Sequence, residues 1–541
     1  MASIASGTGG APVPERAVFV RKATGLVRGW AVRDAFIYAT FAINLVTLGW
    51  YIFAFAPSTI PNGSLMWAVI VGGLYLIFQA ITYASLIAVM PRAGGDYVWM
   101  SRVLGGGVGF VLAACGWWFI LWHWVPIYAY ILQIQVLVPL SAIVGWHGGL
   151  TFWTGHTGTF VASIITALLA SLFISLGIRT YARIQKFCFI GGMVGLGIMA
   201  ILLLVNSKTD FIGHFNSAAH DLYGVEGHHA YAQTLAAPAK GSTLTTLGSF
   251  NVSGVLLLLP LLMFFNLWSN WGATLYGEVR GASDFRKNIY AMGGALLFTT
   301  TLAVIFFLLF AKTFGWTFYQ AGNETSGSVL GAYPYPGTYA SFLLNGRVLQ
   351  FIFIGLLTLW FVGWVGSVFL SSTRVVFAAA FDRVLPEWAA SVSNRGVPYW
   401  ALGLMLLPSI PISALYAYSS SFASYTLDAT LVIAITFLGT TVSAAILPWR
   451  RPDIYNASPI ARYKVLGLPL ITFAAIMFAV VLVFALVKWF SDSAYGVNHG
   501  SSLIYMGCLY VLAFAIYAIS RVVRKRQGMD LGMVYGEIPV E

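Results

Sequence analysis

Twelve apolar runs separated by short polar stretches dominate this chain. They lie at about 34–57, 64–90, 106–142, 157–178, 185–205, 252–279, 289–315, 348–380, 399–417, 425–448, 465–488 and 502–520. Each is long enough to cross roughly 30 Å of hydrocarbon as a helix, so the pattern predicts an all-α integral membrane protein with twelve spans. Two polar interruptions matter most. Asn44 falls inside the first run, and Asn266, Ser269 and Asn270 fall inside the sixth. At 1.5 Å per residue, Asn44 sits about 16 Å in from Arg33 and Asn266 roughly 22 Å in from Asn251, so both land near mid-depth. Polar groups there are costly unless they are paired or put to use.

Composition agrees with the pattern. The 541 residues are 59% hydrophobic and only 9% charged, with mean hydropathy +0.82. A soluble protein of this length needs far more charge to cover its surface. A net charge of +12 can signal nucleic acid, but its distribution gives another answer. Of the 29 Lys and Arg, 24 fall before the first span, after even-numbered spans, or after the twelfth. The groups run from Arg16, Arg21, Lys22, Arg28 and Arg33 to Arg521, Arg524, Lys525 and Arg526. The other side carries only Lys208, Lys240, Lys312, Arg347 and Lys488. The positive-inside rule then places both termini in the cytoplasm. The expected partners are the lipid bilayer of the plasma membrane and a small-molecule substrate, with no nucleic acid; the oligomeric state is open.

The longest apolar run near the start, Ala17 to Val20, is too short for a signal-peptide core. Cys115, Cys188 and Cys508 lie in apolar runs, so no disulfide framework is expected. The connections at about 206–250 and 316–347 read as surface segments capping an outer vestibule. The second holds the sequon Asn323-Glu324-Thr325, expected to face outward.

Three connections on the basic side carry dense motifs. The first is Met90-Pro91-Arg92-Ala93-Gly94-Gly95-Asp96-Tyr97, whose glycines allow a tight turn leading into the third span. The second is Gly277-Glu278-Val279-Arg280, with Arg286-Lys287-Asn288-Ile289 after it. The third holds Ser372-Thr373-Arg374, Phe381-Asp382-Arg383-Val384-Leu385-Pro386 and Asn394-Arg395-Gly396-Val397-Pro398. In this order and at these depths they resemble the amino acid–polyamine–organocation (APC) superfamily of permeases.

The resemblance implies a LeuT-type fold of two inverted five-helix repeats plus two peripheral helices. The divisions would be a cytoplasmic segment 1–32, a first repeat 33–205, an outer loop 206–250, a second repeat 251–450, two further spans within 451–522, and a tail 523–541. It also implies secondary active transport of a neutral or zwitterionic amino acid or related amine, by alternating access at a midplane site between the broken first and sixth helices. The substrate-binding residues so implied are Ile43, Asn44, Thr47, Phe264, Asn266, Trp268, Ser269 and Asn270, with Trp122 and Trp364 lining the same cavity. Relatives usually break the first helix at a Gly-x-Gly stretch. Here Asn44-Leu45-Val46-Thr47 stands there, with no glycine before Gly49. The sixth helix departs too, with neutral Asn270 at an acidic position.

His123, the one histidine well inside a span, is the candidate carrier of a coupling proton. Glu278 is expected to pair with Arg92, Arg374 or Arg383 as an inner gate. Ser367, Ser371 and Ser372 are the weaker candidates for a sodium site. No cofactor, metal or catalytic residue is expected, since one mid-span histidine supplies no haem pair and no HExxH motif occurs. The coupling ion stays open, with H+ expected in preference to Na+. The alternative is a non-transporting APC-like sensor or a subunit of a larger membrane complex.

Overall fold

The computed structural model describes residues 29–238, 244–325, 329–331, 333 and 335–536. Arg16, Arg21, Lys22, Arg28 and Lys240 of the charge pattern lie outside the described residues. Among the described residues, twelve helices are long and apolar enough to cross a membrane: Val32–Thr59, Leu65–Val89, Gly106–Val144, His156–Ser175, Ile178–Val205, Val252–Glu278, Phe285–Glu324, Arg347–Phe381, Tyr399–Tyr418, Thr426–Arg450, Leu470–Ser491 and Gly500–Arg526. They are numbered below as spans one to twelve. The protein is an all-α, multi-pass membrane protein.

Burial sorts the spans. The most apolar window of the first is 94% buried and that of the third 78%, whereas that of the twelfth is 22% buried. Span one is thus a central strut. The outer ones turn residues such as Phe187, Val205, Ile504 and Val511 outward, all more than two-thirds exposed, as a lipid-facing belt requires. Small residues set some of the closest contacts. A Cβ on Gly192 would meet the Trp360 indole at 2.8 Å, and one on Gly195 would meet the Leu356 side chain at 3.1 Å. Spans five and eight pack tightly there.

Both polar interruptions break their helix. Span one is helical over Val32–Ile43, reverses at Asn44 (φ 44°, ψ 85°), widens into a π-turn over Leu45–Gly49 and resumes at Trp50–Thr59. Asparagine tolerates this left-handed backbone because its short side chain can bond locally. Here Asn44 Oδ1 accepts the Thr47 N–H at 3.1 Å. A glycine is therefore not needed for the break. Span six is helical over Val252–Asn266, opens over Leu267–Asn270 and continues as a 3₁₀ helix over Trp271–Glu278.

Some expectations are corrected. The Pro91–Gly95 turn leads first into a separate short helix, Gly95–Val103, and only then into span three. Gly94 takes φ +92° there and donates to the Thr274 carbonyl at 2.9 Å. The connection after span five carries two helices, Lys208–Tyr223 and Ala230–Ala236. The sequon does not lie on an exposed surface segment: span seven extends to Glu324, and packing buries the Asn323 side chain to 3% exposure. The three cysteines are unpaired.

Candidate functional site

Between the two breaks lies a small cavity. Ala42 and Leu48 of span one, Trp124 and Tyr128 of span three, Trp268 and Trp271 of span six, and Trp364 and Ser367 of span eight line it. Its volume of about 10 Å³ is roughly the room of one water molecule. The site is closed around an aromatic lining. Trp124 stacks on Phe264 (centroids 5.0 Å apart, 22°), and Tyr128 stacks on Trp364. The Tyr128 hydroxyl meets Ser367 Oγ at 3.2 Å. The Trp271 indole donates to the Ser367 carbonyl at 3.0 Å and that of Trp268 to the Phe264 carbonyl at 2.8 Å. The buried Trp124 indole N–H has no partner. Buried donors are rarely left so, and this one belongs to a residue on the cavity wall.

The expected binding residues divide into three groups. Trp268 and Trp364 line the cavity, and Phe264 stacks behind Trp124 of its wall. Asn44, Thr47, Ser269 and Asn270 hold the broken backbone instead. The Asn44 amide donates to the Trp360 carbonyl at 3.1 Å, and Gln135 donates to the Thr47 carbonyl at 2.9 Å. Asn266 turns toward span two, where a Cβ on Gly72 would meet its Nδ2 at 2.8 Å. Ile43 is fully buried but does not line the cavity.

Trp122 is not in the cavity; its indole donates to the Leu404 carbonyl of span nine at 3.1 Å, as that of Trp118 does at 3.3 Å. Trp124 takes the place expected of Trp122. A π-turn over Cys115–Phe119 precedes both residues in span three. His123 also points elsewhere. It stacks on Phe422 (4.7 Å, 17°) and its Nδ1 meets the Tyr505 hydroxyl at 3.3 Å.

Sequence reasoning passed over Gln79, the only amide in span two. Its Nε2 donates to the Leu267 carbonyl at 2.8 Å and to Asn270 Oδ1 at 3.0 Å, and its Oε1 accepts from Ser269 Oγ at 3.2 Å. One buried side chain thus carries the opened segment of span six. The serines of span eight are similarly occupied. Ser371 Oγ donates to the Trp271 carbonyl at 2.8 Å and meets the Tyr38 hydroxyl at 2.9 Å. Ser372 instead turns toward Met405 of span nine, so the three hydroxyls do not converge.

The two ends of the cavity differ. At the arginine-rich end, Glu278 pairs with Arg374 through both carboxylate oxygens (2.7 and 3.2 Å), both side chains being 1% exposed. Of the three expected partners the structure selects Arg374; Arg383 pairs with Glu387 at 2.8 Å, and Arg92 donates to the Pro91 carbonyl at 3.1 Å. Trp30 bridges to this pair, donating its N–H to the Glu278 carbonyl and accepting from the Arg280 N–H. Arg102 and Asp382 form a second buried pair, and Lys186 reaches Asp34 at 2.8 Å. At the opposite end a cavity of about 350 Å³ reaches Tyr51, Tyr130, Leu261 and Tyr416. Tyr51 of this cavity packs on Phe264 with ring centroids 5.8 Å apart, and Phe264 stacks on Trp124 of the central cavity wall.

A family model described as amino acid permease matches residues 35–514 of this chain. The chain belongs to that family, which is a family of transporters and not of enzymes.

Proposed function

Proceeding from membership of the amino acid permeases, we propose that this protein is a secondary active transporter of a small neutral or zwitterionic amino acid with an apolar side chain. The observation that carries the reading is the aromatic cavity between the breaks of spans one and six. Its lining offers hydroxyls from Ser367 and Tyr128, the unpartnered Trp124 N–H, and otherwise apolar or aromatic surface. Such a wall discriminates against a bare extra charge, whose burial without a partner is costly. An oxygen of the ligand would satisfy the Trp124 N–H.

The arginine-rich end is the cytoplasmic one on this reading, following the positive-inside rule. The chain then stands sealed on the cytoplasmic side by Glu278–Arg374 and Arg102–Asp382, with an outer vestibule above a thin aromatic lid of Tyr51 and Phe264. Alternating access requires the lid to part for entry and the ion pairs to part for release. The two breaks supply hinges at mid-depth. Two inverted five-helix repeats would relate the broken spans to each other.

The test is uptake of labelled L-leucine into proteoliposomes by wild type and Ala42→Leu. The larger side chain fills a cavity with room for about one water. Leucine uptake should fall at least tenfold while the variant stays monodisperse. Wild-type rates in Ala42→Leu would sink the cavity as the transport site.

A further inference from the structure

The turn before span three buries a carboxylate that the ion pairs above leave untouched. Asp96, in the helix Gly95–Val103, is 0% exposed. Its Oδ1 accepts from the Tyr83 hydroxyl of span two and from Thr440 Oγ1 of span ten, each at 2.6 Å. Its Oδ2 has no partner. The Trp117 indole of span three lies beside the carboxylate, but its N–H is also unbonded.

Both neighbours lead to span six. Asn270, on the opened segment, lies against the Tyr83 hydroxyl and accepts from Gln79, which in turn holds Leu267 and Ser269. Trp117 packs on Trp271 with ring centroids 4.5 Å apart, and Trp271 is part of the cavity wall. Thus one buried acid touches two chains of contacts that end at the same break.

We propose that Asp96 is a proton-binding site whose occupancy is coupled, through Tyr83 and Trp117, to the opened segment of span six and so to the central cavity. This rests on the transporter reading and names its coupling ion. The groups facing Asp96 are Tyr83 from span two, Thr440 from span ten and Trp117 from span three; Tyr97 on its own helix turns away to Asp382 at 3.0 Å. No cation among them compensates the carboxylate, and burial pushes it up to about 6. A proton on Oδ2 removes the charge that draws the Trp117 N–H. Loss of that proton favours closing an N–H···Oδ2 bond, which pulls Trp117 and the Trp271 ring stacked on it. The proton and the cavity wall then read each other's state, as linkage demands.

The experiment has two arms. The first follows the carboxylic C=O stretch of the purified protein by infrared difference spectroscopy between about pH 4.5 and 8, which brackets shifted carboxylates. A group titrating near pH 6 should vanish in Asp96→Asn and persist in Asp428→Asn, which removes the buried acid of span ten. Tyr83→Phe and Thr440→Val each delete a donor that favours the ionised form, so each should raise the midpoint by roughly one unit. Identical titrations in wild type and Asp96→Asn, or unmoved midpoints in both donor variants, overturn the site. The second arm measures the ratio of labelled L-leucine uptake with and without an inward proton gradient. Wild type should give a ratio well above one, and Asp96→Asn a ratio of one. A gradient effect that survives Asp96→Asn overturns the coupling. A wild type that titrates through Asp96 yet takes up no leucine upholds the proton site and counts against the transport reading.

Discussion

Gln79 offers the sharpest test of how the break in span six is held. Replacing it with leucine keeps the volume and removes three hydrogen bonds, to the Leu267 carbonyl, Asn270 Oδ1 and Ser269 Oγ. Interhelical bonds in membrane bundles average about 0.6 kcal/mol, so the three together come to roughly 2 kcal/mol. Stranding the Leu267 carbonyl in a fully buried place adds at least about 1 kcal/mol. Gln79→Leu should therefore lose about 3 kcal/mol of stability. Thr82→Val, one turn away, removes only a bond to its own helix (Phe78 carbonyl, 2.8 Å) and should stay within about 0.5 kcal/mol of wild type.

The assay is thermal unfolding of the detergent-solubilised proteins side by side. Gln79→Glu sharpens it, because a carboxylate cannot donate to Leu267 or Asn270. It should be at least as damaging as leucine at neutral pH and should recover in part in acid, when protonation restores one donor. If both Gln79 variants melt with Thr82→Val, the break is held by packing and not by the Gln79 hydrogen bonds.

Three further outcomes follow from the same geometry. Arg374→Ala leaves Glu278 buried without a partner and should cost about 3–5 kcal/mol, whereas the double replacement Arg374→Met, Glu278→Gln should regain most of it in the same melting assay. Trp124→Phe keeps the stack on Phe264 but deletes the unpartnered N–H, and should weaken L-leucine uptake several-fold; Trp122→Phe loses only the bond to Leu404 and should leave uptake near wild type. For Asp96, burial lifts the folded-state value from the ordinary 3.8 to about 6. The folded protein holds that proton more tightly than the unfolded chain, so this contribution is complete below pH 3.8 and is lost as pH rises through about 6. Asp96→Asn should flatten the decline of melting temperature across that window, and an unchanged decline would refute the burial argument.

The sequence alone determined the twelve spans, because hydrocarbon thickness imposes a length and an apolar composition on each crossing. It also marked Asn44 as a polar interruption at mid-depth, where an amide has few roles; that the helix breaks there was implied by the resemblance, and the left-handed backbone of Asn44 shows only in the structure. Gln79 was legible by the same logic, as the only amide of span two, but nothing local says which carbonyl it reaches. The choice of Trp124 over Trp122 was beyond sequence reading. Both are tryptophans in one apolar run, and only packing shows that Trp124 lines the cavity while Trp122 bonds to span nine. Likewise, three arginines in neighbouring connections were equal candidates for Glu278 until packing brought Arg374 alone to it. Depth along a helix is a one-dimensional property that the chain carries. The face a side chain presents, and the partner it meets across another helix, exist only once the helices have packed.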